Sequence, residues 1–483
     1  MNRNVVEIIK EYNSGRKPDV LEKKYALMAS NPFSFFRGTC HLFYQDLIKS
    51  SHKFSDSTHT WICGDLHLEN FGVYKGENQL IYFDINDFDE STLAPCTYDL
   101  SRFISSLYLS AEILGLDTKT MDELAHHFLN EFSAALAHGK AKVIEEPCAS
   151  GITLHYFKQI ESRTKKSLVK DWLEEKGGKL RFKKENEHLI PIEDDLKSKL
   201  FDFTVKFLKF YYPDKTNSVQ DGESGKSKKL EAKKEKEIRI IPLDAGFRIA
   251  GTGSLGLNRY LVAVELEGKV KFIDIKEAQS PSISLLEKGP KWNSNSERIC
   301  TIQEMMQGTS PSMLSSGVFE NTHYVVRSVQ PEVDKLNLVE IKSQKGKIQE
   351  IISEMAILTA SAYIRSSGWK GSSNLDQLQA FAARKDWHKS VLDYGKNYVI
   401  QVQKDYEAFK KDFESHIPKK ANKKEKTQVK KDKTKAIREN IKSPGAKSSL
   451  SPVKKAKETK ENLVKAKEIK VKAPRKKEKT EIL

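Results

Sequence analysis

Two short runs hold the residues best suited to chemistry. Gly64-Asp65-Leu66-His67-Leu68-Glu69-Asn70 places an asparagine five residues after an aspartate, and Phe83-Asp84-Ile85-Asn86-Asp87 follows closely. Moving a phosphoryl group onto a hydroxyl needs one carboxylate to take or orient the hydroxyl proton. It needs a second carboxylate and an amide to hold Mg²⁺. On this reading Asp65 is the base, Asn70 and Asp84 are metal ligands, and Asp87 lies near the metal. Asp and Asn also favour turns and helix caps, so the pair alone is not decisive.

A second constellation comes far downstream. Ala250-Gly251-Thr252-Gly253-Ser254-Leu255-Gly256-Leu257 contains G-x-G-x-x-G. In a dinucleotide-binding fold that motif opens a helix. Here Tyr260-Leu261-Val262-Ala263-Val264 is β-branched and strand-like, which predicts a glycine hairpin lying over phosphates. The apolar strand Val270–Ile275 ends at Lys276, the place of a phosphate-pairing lysine. Its acidic partner is expected from the helix at 293–307, with Glu297 and Glu304 both open. Gly222-Glu-Ser-Gly225-Lys226-Ser227 is a decoy for a P-loop, because position 220 is Gln and the upstream chain is polar.

The elements that must position these groups follow from periodicity. Thr60–Cys63 and Gln79–Phe83 read as buried strands flanking the first loop, and apolar residues 100, 103, 104 and 107 mark a helix face. Residues 31–38 read as an aromatic loop ending near Arg37. Helix is expected around 155–175, 195–212 and 347–413, and strand across 238–276 and near 317–319 and 324–327. Asp99 reads as a helix anchor, His67 as a loop histidine, and Asp89 as a solvated loop acid.

In a kinase the glycine loop and lysine precede the catalytic loop, whereas here they follow it. A circular permutation reconciles the two orders, since domain termini are often close together. The predicted architecture is α+β: a two-lobed, kinase-like, circularly permuted fold. Residues 1–212 supply a helical part with the catalytic loop, 213–237 a linker, and 238–335 a β-rich part with glycine loop and lysine. Residues 336–416 complete the helical part, and 417–483 form a disordered Lys-rich tail.

Charge is placed unevenly. Residues 417–483 carry 24 Lys and Arg against 8 Asp and Glu, so the tail holds the whole chain's net +16 and the remainder is neutral. Such a tail attracts nucleic acid or an anionic surface weakly, and its lack of aromatics argues against base stacking. Five scattered cysteines without a C-x-x-C pair argue against a zinc site or disulfide framework and predict a reducing, cytoplasmic setting. No stretch has the length of a membrane span and no signal-peptide core is read at the N-terminus.

Five ordered motifs carry a resemblance: Pro32-Phe-Ser-Phe-Phe-Arg37-Gly38, Cys63 to Gly72, Phe83 to Glu90, Gly251 to Gly256, and Ile275-Lys-Glu-Ala278. Together they resemble the domain of unknown function 2252 family over roughly Asn31 to Phe409. That family is grouped with kinase-like proteins, and the Gly64–His67 loop is also similar to aminoglycoside and choline phosphotransferases. The resemblance implies ATP and Mg²⁺ as cofactors, with Asp65 as base, Asn70 and Asp84 as metal ligands, and Lys276 with Gly251, Gly253 and Gly256 on the nucleotide. Arg298, Gln303 and Gln307 match family positions on the following helix, whereas Ala362-Tyr363-Ile364-Arg365-Ser366-Ser367-Gly368 departs from the family's A-H-A-R-S-G-D. The expected activity is ATP-dependent phosphorylation of a hydroxyl. The alternatives are a nucleotide-binding pseudokinase scaffold and a polyanion binder acting through the tail.

Overall fold

The first helix that bears on the site, α1 (Pro32–Gly38), lies where the sequence suggested an irregular loop. Asn31 caps it, its side chain accepting from the Ser34 N–H at 2.7 Å, and Pro32 opens its first turn. These are strong start signals, and the buried Phe33, Phe35 and Phe36 supply the packing that a seven-residue helix needs. Strand β1 (His59–Ile62) then leads into the Asp65 loop, and β2 (Phe71–Lys75) and β3 (Ile81–Ile85) form the hairpin behind it. Strand β4 (Thr92–Pro95) returns to pair antiparallel with β1.

Helix α2 (Cys96–Leu109) has the predicted apolar face but is buried almost all round. Two of its buried serines are satisfied by the helix backbone itself. Ser105 and Ser106 hydroxyls donate to the Ser101 and Phe103 carbonyls at 2.8 and 2.7 Å, which lets the helix run through the interior. Helix α3 (Thr118–His138) packs beside it.

The six-stranded sheet is all antiparallel. It takes a short strand at Leu189–Ile190 and then β5 (Ile240–Arg248), β6 (Arg259–Leu266) and β7 (Lys269–Glu277). Helix α4 (Asn295–Met306) follows, capped by Ser294 onto the Glu297 N–H at 3.1 Å. Strands β8 (Ser315–Phe319) and β9 (Thr322–Val329) complete it, in the order β8-β9-β7-β6-β5-Leu189–Ile190. Alternation divides the sheet. Val262, Val264, Ile273, Ile275 and Val326 pack one face, whereas Leu261, Ala263 and Phe272 pack part of the other beside Trp172. Helices α5 (Lys345–Arg365) and α6 (Asp386–His416) close the helical core, α5 against α3 and α6 against α2.

This computed structural model describes residues 3–50, 54, 58–149, 151–161, 165–212, 238–286, 289–329 and 334–416. The chain is mixed α and β, and its described residues form one compact unit. The expected linker 213–237, with its decoy motif, and the Lys-rich tail lie outside the described residues. Among the described residues no helix is long and apolar enough to cross a membrane.

Candidate active site

The Asp65 loop is held from behind. Asp99, on the first turn of α2, accepts the backbone N–H groups of Cys63 and Gly64 at 2.9 and 3.0 Å, and the Tyr363 hydroxyl at 3.3 Å. Asp99 therefore anchors the loop rather than its own helix. Burial pushes its carboxyl up to about 6 despite these donors. Gly64 has φ +79°, and a Cβ there would stand 2.0 Å from the Glu90 carbonyl, so only glycine fits.

Asp65 accepts from the Nε of Arg102 at 2.5 Å. Arg102 is fully buried, with its guanidinium carbon 4.1 Å from the Phe36 ring centre and 4.9 Å from that of Phe43. Burial raises the Asp65 carboxyl above its ordinary value, while Arg102 pulls it back. His67 Nε2 lies 3.9 Å from the other Asp65 oxygen. Arg37 pairs with Glu69, which makes it an internal ion pair in this structure.

Asn70 fastens the two acidic loops together. Its Nδ2 donates to the Asp65 and Asp87 carbonyls at 3.0 and 3.1 Å, and its Oδ1 accepts from the Asp87 N–H at 2.8 Å. Most of its amide is therefore committed to backbone, leaving one lone pair on Oδ1.

Asp84 is not where the spacing put it. It still belongs to the ladder, opposite Gly72, and the pleat turns its carboxylate toward Arg365 at 3.8 Å. It also accepts from the Ile85 N–H at 2.8 Å, and burial pushes its carboxyl up to about 6. The chain leaves the sheet only after Ile85, so Asp87, Asp89 and Glu90 are the acids of this segment that reach the cleft. Lys276 Nζ lies 3.5 Å from Asp87 and pairs closely with Asp89. Residues more than 180 positions apart thus meet at one point.

Glu297 does not join them. It sits in the first turn of α4 and accepts from the Asn293 side chain at 3.2 Å, while the helix turns Arg298, Gln303 and Met306 inward. Arg298 donates to the Asp89 and Gln279 carbonyls, each at 2.8 Å, and Gln307 to the Ile85 carbonyl at 2.6 Å. Glu304, the other candidate partner, is exposed on α4, and partial desolvation raises its carboxyl.

The glycine loop joins β5 to β6, as the strand pattern required. Gly251 and Gly256 take φ +79° and +90°. Arg16 donates to the Gly253 and Leu255 carbonyls, both at 2.8 Å, and the buried Lys24 donates to Gly253 at 2.9 Å. Neither cation was legible as a site residue, since each lies in an ordinary polar helical pattern near the N-terminus.

Two cavities meet here. A chamber of about 550 Å³ lies between Trp172, Arg248, Gly251, Lys276 and Val329. A gorge of about 70 Å³ runs past Asp65, His67, Asp89 and Gly253. Asp87 and Gly251 line both.

A family profile described as "Uncharacterized protein conserved in bacteria (DUF2252)" matches residues 16–412. The chain belongs to the DUF2252 family. No curated protein and no solved structure matches this DUF2252 chain. Among its described residues no group of three His, Cys, Asp or Glu side chains stands ready for a metal ion. Mg²⁺, however, is commonly held by one or two carboxylates with phosphate oxygens and water completing the shell. Asp87 and Asp89, two hard oxygen donors facing one cation, suit it. The donor set fits.

Proposed function

We propose that the chain is an ATP- and Mg²⁺-dependent phosphotransferase acting on a hydroxyl, built on a permuted kinase-like arrangement of two lobes. The observation that carries this reading is the meeting of Lys276 with Asp87 and Asp89, tied through Asn70 to Asp65. Phosphoryl transfer is catalysed mainly by positioning and electrostatics, and these are the groups it calls for. The succession β5, glycine loop, β6, β7 with its lysine, α4, β8 and β9 is that of a kinase small lobe, which supports the permutation.

In this mechanism Asp65 takes the hydroxyl proton, held in orientation by Arg102. Its raised proton affinity suits a base that must first bind a proton and then release it. Asp87 and Asp89 would hold Mg²⁺, which would supply positive charge to neutralise the phosphate oxygens. Lys276 exchanges its aspartate contacts for phosphate, and the Gly251–Gly256 loop covers the chain of phosphates.

A pseudokinase is the second reading. It is favoured by Gln303, which occupies the inward face of α4 where a lysine-pairing glutamate is expected. Incubating the full chain with γ-labelled ATP, Mg²⁺ and a panel of hydroxyl acceptors separates the two. Transfer of label that is lost in Asp65→Asn supports the enzyme. Saturable ATP binding with no transfer to any acceptor supports the scaffold.

A further inference from the structure

The cleft-facing side of the six-stranded sheet is charged where a base-binding slot would be apolar. Asp274 and Lys276 lie on the same face of β7, two residues apart. Asp274 is fully buried and stands under three arginines. Arg259 grips it with Nε and Nη2 at 2.9 and 2.7 Å, Arg248 reaches it at 2.9 Å, and Arg327 at 3.6 Å. All three guanidiniums line the 550 Å³ chamber. In total five lysines and arginines line it against two aspartates, Asp87 and Asp171.

One carboxylate held by the fork of Arg259 is already compensated. Arg248 and Arg327 are therefore in excess of what the buried charge requires. The cross-strand register adds a second, independent sign. Arg259 lies directly opposite Lys276 on the neighbouring strand, so two cations share one stretch of the cleft wall, each with its own aspartate partners, Asp274 for Arg259 and Asp87 and Asp89 for Lys276. Burial lowers the Arg248 guanidinium to about 10, with Asp274 opposing and the neighbouring Arg259 and Arg327 adding to the fall. Ligand pockets are mostly apolar with a few polar groups, and this sheet face reverses that proportion.

We infer that this charged strip is a polyphosphate-binding site, in which a phosphoanion with adjacent negative groups lies along Lys276, Arg259, Arg248 and Arg327. The site stands on the sheet alone. It rests on the nucleotide reading only for the identity of the polyphosphate, whose chain it places inside the chamber under the sheet.

The test is isothermal titration of the full chain, in metal-free buffer, with inorganic tripolyphosphate, ATP and adenosine. Tripolyphosphate and ATP are expected to bind and to compete with each other, while adenosine gives no heat. Arg248→Gln and Arg327→Gln should each weaken tripolyphosphate by about tenfold, the loss expected for a charge-assisted contact. Arg327 has the longest contact to Asp274, so its variant is the less exposed to misfolding, and unchanged thermal midpoints verify both. Asp87→Asn should retain or tighten tripolyphosphate binding, because a negative neighbour is removed. Adenosine binding with tripolyphosphate silent would overturn the inference, as would full affinity in both arginine variants. Tripolyphosphate binding without label transfer would sink the enzyme reading and leave this site standing.

Discussion

The floor and the roof of the cleft treat charge in opposite ways. On the floor, polar groups bind one another: Asp99 takes two loop N–H groups, Arg102 holds Asp65, and Asn70 is committed to both acidic loops. On the roof, three arginines share a single buried carboxylate, and Lys276 faces Arg259 across the ladder. A network whose groups mostly pair with one another keeps its shape without a partner. A surface with surplus charge of one sign is shaped for a partner of the other sign. The floor is thus the part built for rigidity and the roof the part built for a ligand.

That contrast can be broken most severely at the acids. Asp65→Asn is expected to lower phosphoryl transfer by about 10²–10⁴, the usual weight of a positioned general base. Nucleotide binding should survive, and equal loss of both would move Asp65 out of the chemistry and into the framework. The next largest effect is on folding. Asp99→Ala leaves two buried N–H groups without an acceptor, so unfolding in denaturant should show a loss of roughly 2–5 kcal/mol. Arg327→Gln on the roof should stay within about 1 kcal/mol of the parent. Comparable losses at both positions would erase the distinction between floor and roof.

Asp84→Asn gives a smaller, sharper test. Its carboxylate faces Arg365 inside the core, so transfer should fall by less than about tenfold while the Asp87→Asn loss is far greater. A larger loss at Asp84 than at Asp87 would restore the metal role that the sequence suggested.

The smallest effect concerns pH. Burial pushes Glu90 and Glu354 up to about 7, so the folded state holds these protons more tightly than the unfolded chain. Their protonated forms favour folding, and that contribution fades as pH rises from about 4.5 through about 7. His41 behaves oppositely. Burial lowers it to about 3, so its neutral form supports folding above about 6.5, and the support is lost as pH falls below that. Two carboxyls outweigh one imidazole between about pH 4.5 and 6.5, so on these groups the thermal midpoint should fall as pH rises from about 4.5 to 7, and a midpoint that climbs steadily to pH 8 would contradict these burial effects.

Much of this site was legible in residue spacing. Asp65 and Asn70 declared themselves by their separation, and Lys276 by ending a strand after a glycine loop whose flanks were β-branched. The sequence reading ended this strand at Phe83, whereas the ladder runs on to Ile85 and keeps Asp84 within it, so that Asp87 and Asp89 follow beyond the sheet. Which side chains of α4 face inward depends on helix rotation, which residue types alone do not fix: adjacent positions point about 100° apart, following 3.6 residues per turn. The inward residues, Arg298 and Gln303, are polar and look like surface from their types alone. The same holds for Arg248, Arg259 and Arg327, which only sheet register brings around Asp274. Helix α1 was missed although its Asn31 cap and Pro32 were visible, because three phenylalanines in a short run carry no clear period.

The central claim is that the glycine-loop lysine and the early acidic loop form one working site. A double-mutant comparison of Mg²⁺-dependent transfer from ATP in Lys276→Met, Asp87→Asn and the combined variant tests it most directly. Groups that act as a unit lose function together, so the double variant should be no worse than the poorer single variant. Losses that multiply, or a Lys276→Met protein with full transfer, would show that the two segments meet in space without sharing a reaction.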